Sequence, residues 1–138
     1  MPSVGLSMIV RNESHTLEAC LQSVSGIVSQ IVVADTGSTD DTADVARKMG
    51  ATVIAVPWGD HFANARNAAL QIMQTDWVLV LDADEELDGE ARNQIPGLLK
   101  ASSAGGYLVP IRNYIPTITG RGWDRIAEPN RSTHPRAR

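Results

Sequence analysis

Short apolar runs alternate with segments of helical periodicity over residues 1–112, and this alternation limits the fold more than any other feature. The runs that predict buried strands are residues 4–10, 31–34, 52–56 and 77–81, with a fifth at Gly106–Ile111. The segments that predict helices are 14–24 with Ser14 as N-cap, 42–50, 61–74, and 88–100 interrupted at Pro96. Strands in turn with helices predict a three-layer α/β/α fold with a mainly parallel, Rossmann-like sheet.

Charge is distributed unevenly along the 138 residues. Residues 1–111 carry six Lys/Arg and fourteen Asp/Glu, whereas residues 112–138 carry six Arg and two acids. The acidic body argues against a nucleic-acid-binding protein, because phosphate contacts need a basic face. We therefore divide the chain into an α/β domain, 1–112, and a basic segment, 113–138, interpreted as an irregular tail or the start of an incomplete region. The basic segment could contact an anionic membrane or ligand, or be an arginine-rich stretch separated from its partners.

The single cysteine, Cys20, excludes an intrachain disulfide and fits a reducing compartment. It lies on an apolar helical stripe, which favours a core position over a nucleophile. No signal peptide is evident, and no apolar run approaches the ~20 residues of a membrane span. These features predict a cytoplasmic protein, with the inner face of a membrane as the place where the basic segment would act.

Polar residues follow the predicted strands where each strand ends. Asn12 and Glu13 follow the first strand, Asp35 ends the second, and Asp82 and Asp84 follow the fourth. In open α/β sheets, ligands bind beyond the carboxyl ends of the strands. A strand ending in Asp82-Ala83-Asp84 would place both carboxylates on one side, where Mn²⁺ or Mg²⁺ could join them to a substrate phosphate.

The acids after the fourth strand also have a purely structural interpretation. Acidic residues favour the first turn of a helix, which accounts well for Glu85, Glu86 and Asp88 but poorly for Asp82. The turn that follows Asp35 is similarly open. Ser38, Thr39 and Asp40 could each cap the next helix, and Ser38 is alternatively a ligand contact. Arg66, near the start of the third helix, is either a phosphate clamp or an ordinary exposed arginine.

Four motifs together resemble family 2 glycosyltransferases of the glycosyltransferase-A fold. They are "SMIVRNES" at 7–14, "IVVADTGSTDDT" at 31–42, "FANARNAAL" at 62–70 and "WVLVLDADEEL" at 77–87. Their order and spacing match that family over residues 4–112. The strings "ARN" and "DADEEL" are most similar to those of a bacterial subgroup of soluble or repeat-linked enzymes.

The resemblance implies a nucleotide-diphospho-sugar donor, a divalent metal, an unknown glycan, lipid or protein acceptor, and sugar transfer with inversion at the anomeric carbon. It places the base against Asp35 and lines the nucleoside side of the site with Asn12 and Glu13. Ser38 and Arg66 would lie near the nucleotide, Asp82 would contact ribose and metal, and Asp84 would be the main metal ligand.

The sequence departs from the family after the metal motif. The family's catalytic base is an acid in the acceptor-binding half, and neither Asp124 nor Glu128 stands in a matching context. The family also often supplies a late histidine to the metal, but His134 lies in "STHPRAR", which does not resemble that segment. We therefore expect the acceptor half to be incomplete, and a truncated, non-catalytic nucleotide-sugar-binding or interaction module is the alternative function.

Two further classes share part of the pattern and are excluded by context. The string "DTGS" at 35–38 occurs in aspartic proteases, but those enzymes are all-β and use two aspartates, whereas this string occurs once, between a strand and a helix. Phosphohydrolases and phosphotransfer receivers also place acids at strand ends. The sequence "DADEE" lacks the threonine and downstream lysine context of those proteins.

Overall fold

A computed structural model describes residues 2–59, 62–100, 103–111, 114–116 and 123–125. The chain separates into two compact units, residues 1–102 and 103–138, and the first carries the sheet and all the helices described below. The functional division placed after residue 112 stays a prediction. His134, Glu128 and most of the basic segment lie outside the described residues.

The first unit contains a four-stranded parallel sheet with strand order β3-β2-β1-β4. Its strands are β1 (Val4–Val10), β2 (Gln30–Asp35), β3 (Thr52–Ala55) and β4 (Trp77–Val80). Val10 pairs with Asp35 and Asp35 pairs with Ala55, so the carboxyl ends lie along one edge. The central strands are continuous apolar runs because helices cover both of their faces.

Four helices form the outer layers: α1 (Ser14–Ser23), α2 (Thr42–Lys48), α3 (Phe62–Ile72) and α4 (Gly89–Lys100). On one face, Leu17 and Cys20 of α1 and Ala46 of α2 pack with Met8 and Val10 of β1. Ala91 and Ile95 of α4 join the same cluster. On the other face, Ala65 and Ala69 of α3 pack on Val32 and Ala34 of β2. The predicted three-layer α/β/α fold is confirmed.

The direction of α3 is fixed by its last turn. The side chain of Gln30, at the start of β2, donates to the Ile72 carbonyl at 3.0 Å and accepts from the Gln74 amide at 2.8 Å. The C-terminal end of α3 therefore lies at the amino edge of the sheet. Its first turns, including Arg66, consequently lie toward the carboxyl edge.

Several local predictions were wrong. Ser14 is the first residue of α1 rather than its N-cap, which is Glu13. Pro96 lies inside a continuous α4 and does not interrupt it. The φ of proline is itself helical, so the helix continues although one backbone donor is lost. Helix α4 begins after Asp88, whose carboxylate accepts the Ala91 amide at 2.7 Å.

The second unit also differs from the expectation. Residues 106–111 form no strand, so the predicted fifth strand is wrong, and the side chains of Tyr107, Leu108 and Val109 are exposed. Apolar composition alone does not specify a strand, because β-propensity depends on packing and burial. The region after Asn113, interpreted as irregular, contains the antiparallel strands β5 (Tyr114–Pro116) and β6 (Trp123–Arg125).

Across the described ranges, no helix is both long and apolar enough to cross a membrane.

Candidate functional site

The candidate site lies at the carboxyl edge of the sheet, where the direction of the strand order changes. From β1 the chain proceeds to β2 and β3 on one side, then returns to place β4 on the other side of β1. The order of the strands therefore reverses beside β1, and open α/β sheets bind ligands at such a position, beyond the carboxyl ends of the strands. Asn12 and Glu13 follow β1, Asp35 ends β2, and Asp82 follows β4, so the fold brings these predicted residues to one edge.

Side chains of the loop after β2 bind the backbone of the loop after β1. Three consecutive amides are involved. The Asn12 amide donates to Ser38 Oγ at 3.0 Å, the Glu13 amide to Thr42 Oγ1 at 2.9 Å, and the Ser14 amide to Asp40 Oδ2 at 3.4 Å. Amides at a helix N-terminus commonly bind anions. Here Ser38, Thr42 and Asp40 already accept hydrogen bonds from these three amides.

Asn12 supports the same junction from the opposite side. Its backbone has a φ of 53°, in the left-handed region that Asn tolerates better than most residues. Its Oδ1 accepts from the Thr39 amide at 2.7 Å, the Thr39 hydroxyl at 3.3 Å and the Asp40 amide at 3.4 Å. The Asn12 oxygen is therefore used within the protein, and the side chain can offer a ligand only its Nδ2 donor.

Asp35 shapes the turn that follows β2. Its Oδ1 accepts from the Gly37 amide at 2.9 Å and the Ser38 amide at 2.7 Å. Gly37 has a φ of 123°, which glycine adopts without the steric penalty of a side chain. Asp35 is only 9% exposed and lies at the carboxyl edge of the sheet, where β2 ends. Its second oxygen is left for a ligand such as a base or a ribose hydroxyl.

The acids after β4 lie in a tight turn. The Glu85 amide donates to the Asp82 carbonyl at 2.9 Å, and the Asp82 amide donates to Glu85 Oε1 at 2.8 Å. Ala83 is buried between exposed Asp82 and Asp84. Strand alternation, from which we placed the two acids on one side, does not apply, because β4 ends at Val80 and the chain then turns.

Helix α1 anchors this turn. Ala83 belongs to the main core cluster, and the Leu87 amide donates to Ser23 Oγ at 2.9 Å. Cys20 Sγ lies 3.6 Å from the Asp82 carbonyl oxygen, within hydrogen-bonding range for a thiol. Burial is the main cause that raises the pKa of Cys20 to about 12. Nearby negative charges act in the same direction, and Glu85 contributes most among them. The thiol therefore stays protonated, which agrees with a packing role and not with a nucleophile.

The Asp82–Asp84 turn fits a divalent cation that is completed by its substrate. Among the described residues, no three His, Cys, Asp or Glu side chains form a ready metal cage. Mg²⁺ and similar ions often need only one or two carboxylates, with phosphate oxygens and water supplying the other ligands. Two exposed carboxylates on an anchored turn match that requirement. The metal assignment of Asp82 and Asp84 stays a prediction.

Reasoning from the sequence named Asp40 as a possible cap of the following helix, and its carboxylate does accept the Thr42 amide at 3.0 Å. It did not identify the bond of Asp40 to the loop after β1, nor the contribution of Thr42. Thr42 is fully buried, and its hydroxyl accepts the Glu13 amide while donating to Asp40 Oδ1. The string "STDDT" contained a clue, since Ser, Thr and Asp favour side-chain bonds to nearby backbone. That rule predicts local bonds, whereas these bonds join residues 26 to 29 positions apart.

Comparison with known proteins identifies the class. The model for glycosyl transferase family 2 matches residues 6–137. A TPR repeat-containing protein of Synechococcus elongatus is 43% identical over 109 residues, which are 79% of this chain and 27% of that protein. An uncharacterized glycosyltransferase of Rickettsia felis is 33% identical over 108 residues, 78% of this chain and 38% of the relative. The chain belongs to glycosyl transferase family 2, and it spans about a third of the length of these relatives.

Solved structures agree with this assignment. Glucosyl-3-phosphoglycerate synthase from Mycobacterium tuberculosis, in complex with uridine diphosphate, is 28% identical with a TM-score of 0.58, covering 74% of this chain and 41% of that one. The same enzyme was also crystallised with Mn²⁺, uridine diphosphate and glucosyl-3-phosphoglycerate; that structure is 26% identical, with a TM-score of 0.55 and coverage of 72% and 39%. Staphylococcus aureus TarS, 18% identical with a TM-score of 0.65, shares the fold over 84% of this chain and 41% of its own.

Proposed function

We propose that this domain binds a nucleotide-diphospho-sugar together with Mn²⁺ or Mg²⁺, and that it transfers the sugar with inversion to an acceptor. The observation that supports this proposal most directly is that two different polar loops lie at the carboxyl edge of the sheet, where the strand order reverses beside β1. One is the joined loop pair of Asn12 and Asp35, and the other is the anchored turn of Asp82 and Asp84. The first suits a nucleoside, and the second suits a metal that carries the diphosphate.

The residues would divide the work by their chemistry. The Asp35 carboxylate would be an acceptor and the side-chain Nδ2 of Asn12 a donor for a base or ribose, with Glu13 and Ser38 beside them. Asp84 and Asp82 would hold the cation, which supplies positive charge to the leaving diphosphate. Arg66 is half-buried near the start of α3, and its guanidinium can pair with a phosphate.

A second candidate function is a nucleotide-sugar-binding module without transfer activity. The sequence motivates it, because neither Asp124 nor Glu128 stands in a context that matches the family's catalytic base. Action at the cytoplasmic face of a membrane through the basic segment is a further proposal, which the excess of arginine over acids in residues 112–138 motivates.

Thermal-shift screening tests donor binding directly. A ligand present at about 100 times its Kd stabilises the native state by about 2.7 kcal/mol, which corresponds to a shift of several degrees in Tm. We expect one or more nucleotide-diphospho-sugars to raise Tm in the presence of Mn²⁺ and to do so much less with EDTA. If a complete panel of uridine, guanosine, thymidine and cytidine donors leaves Tm unchanged with Mn²⁺, donor binding is contradicted. Incubation of the stabilising donor with acceptors then separates transferase from module.

A further inference from the structure

The junction between the loops after β1 and β2 contains two residues that neither the family comparison nor the proposed ligand contacts account for. Asp40 and Thr42 do not follow a strand directly, and Thr42 is fully buried. They nevertheless bind Glu13 and Ser14, which begin α1 directly after Asn12. Any effect of Asp40 and Thr42 on a ligand would therefore act through Glu13 and Ser14.

Thr42 lies at the centre of the junction. Its hydroxyl accepts the Glu13 amide at 2.9 Å and donates its proton to Asp40 Oδ1, so both functions of the hydroxyl are used. Asp40 Oδ1 also accepts the Thr42 amide at 3.0 Å, and Asp40 Oδ2 accepts the Ser14 amide at 3.4 Å. One carboxylate thus binds the first amides of both α1 and α2.

The geometry points to Thr42 and Asp40 as positioning residues of the donor site, which hold the Asn12–Glu13 segment where its side chains can meet a nucleoside. This inference rests on the proposed function. Asn12 has an uncommon left-handed backbone, and such a conformation persists when the surrounding contacts fix it. The hydrogen bond from the Glu13 amide to the Thr42 hydroxyl fixes the residue that directly follows Asn12. Loss of the hydroxyl would therefore release the segment at that point.

Charge supports the arrangement. The bond from the Thr42 hydroxyl is the main cause that lowers the pKa of Asp40 from 3.8 to about 2. Asp40 is therefore a carboxylate at any physiological pH, and an ionised acceptor binds amides more strongly than a neutral one. Negative charge is also favourable at a helix N-terminus, and Asp40 serves two of them.

The test compares Thr42→Val, which keeps the branched shape and removes the hydroxyl, with Thr42→Ser, which keeps the hydroxyl. Asp40→Asn loses one acceptor oxygen, and Asp44→Asn is its matched control. Asp44 lies in the first turn of α2, and its carboxylate forms an exposed 3.3 Å ion pair with Arg47. Each full-length variant is measured at a temperature well below its Tm, so that folding losses do not enter the binding data.

Two readouts are needed. Hydrogen exchange of the Glu13 amide without ligand should be at least about tenfold faster in Thr42→Val, because exchange requires loss of that hydrogen bond. Calorimetry with uridine diphosphate and Mn²⁺ should give a Kd about five- to tenfold higher in Thr42→Val, the size expected for one hydrogen bond. Asp40→Asn should show an intermediate increase. Thr42→Ser and Asp44→Asn should remain within about twofold of the wild type in both measurements.

The possible outcomes separate the two levels of the proposal. A folded Thr42→Val protein that binds uridine diphosphate with the wild-type Kd would overturn the positioning role, and so would a Thr42→Ser protein as weak as Thr42→Val. If the wild type itself does not bind uridine diphosphate or any other nucleoside diphosphate with Mn²⁺, the proposed function fails and the donor-positioning role fails with it. Faster Glu13 exchange in Thr42→Val would then identify a purely structural junction.

Discussion

Substitutions at Asn12 separate the backbone, the acceptor oxygen and the donor nitrogen of one side chain. Asn12→Ala removes the oxygen that binds Thr39 and Asp40, and because these bonds are exposed we assign them a total of about 1 kcal/mol. It also places alanine at a φ of 53°, which adds about 1 kcal/mol. Asn12→Gly loses the same bonds without that steric penalty. The expected losses in free energy of unfolding are about 2 kcal/mol for alanine and about 1 kcal/mol for glycine.

Asn12→Asp completes the series. Aspartate also tolerates the left-handed backbone and keeps an acceptor for the Thr39 amide, so the unfolding free energy should change by less than about 1 kcal/mol. It replaces the Nδ2 donor with an oxygen, however, and should weaken binding of uridine diphosphate with Mn²⁺ by about tenfold if that nitrogen meets the nucleoside.

Urea denaturation measures the stability of all three variants, and calorimetry measures binding in Asn12→Asp. The reasoning is refuted if Asn12→Ala is as stable as the wild type, or if Asn12→Asp is destabilised as much as Asn12→Ala. Wild-type affinity in Asn12→Asp would show that the amide nitrogen is not a ligand contact, and it would leave the stability argument intact.

Three further predictions concern the core, the pH dependence and the phosphate contact. Leu17→Ala, at a fully buried position, should lower the unfolding free energy by about 2–5 kcal/mol in urea denaturation, and a loss below about 1 kcal/mol would contradict the packing described. The pKa of Asp40 is lowered from 3.8 to about 2 on folding, so its contribution is complete above 3.8 and is lost as the pH falls toward 2. Wild-type Tm should therefore fall more steeply than that of Asp40→Asn in this window, and parallel curves would contradict the bonds to Asp40. Arg66→Gln should raise the Kd for uridine diphosphate at least about tenfold, whereas Arg47→Gln should not, and equal effects would remove Arg66 from the site.

The sequence is sufficient to predict the layer architecture because each element is consistent with its neighbours. Apolar runs such as 4–10 and 31–34 are too short for helices and too continuous for exposed strands, so they require a sheet covered on both faces. The carboxyl-edge position of Asn12, Asp35 and Asp82 follows from parallel connectivity alone. These features depend on local patterns, which one sequence records directly.

The features that were missed depend on tertiary contacts. Bonds from Ser38, Asp40 and Thr42 to the loop after β1 arise only when two strands become neighbours, and no periodicity specifies them. The chain leaves the sheet at Val80 and then places Ala83 in the core, and strand alternation does not predict that turn. Residues 106–111 have strand-like composition and yet form no strand, because β-propensity depends on tertiary context as well as on composition.

Calorimetric titration of uridine diphosphate, with and without Mn²⁺, tests the central claim most directly when wild type is compared with Asp84→Asn and Glu86→Gln. Both substitutions remove one exposed charge from the same acidic stretch, but only Asp84 is assigned to the metal. We predict that Mn²⁺ tightens binding at least about tenfold in the wild type and in Glu86→Gln, and that Asp84→Asn loses this gain. A metal-dependent gain that persists in Asp84→Asn would contradict the assignment of the Asp82–Asp84 turn as the place where metal and donor meet.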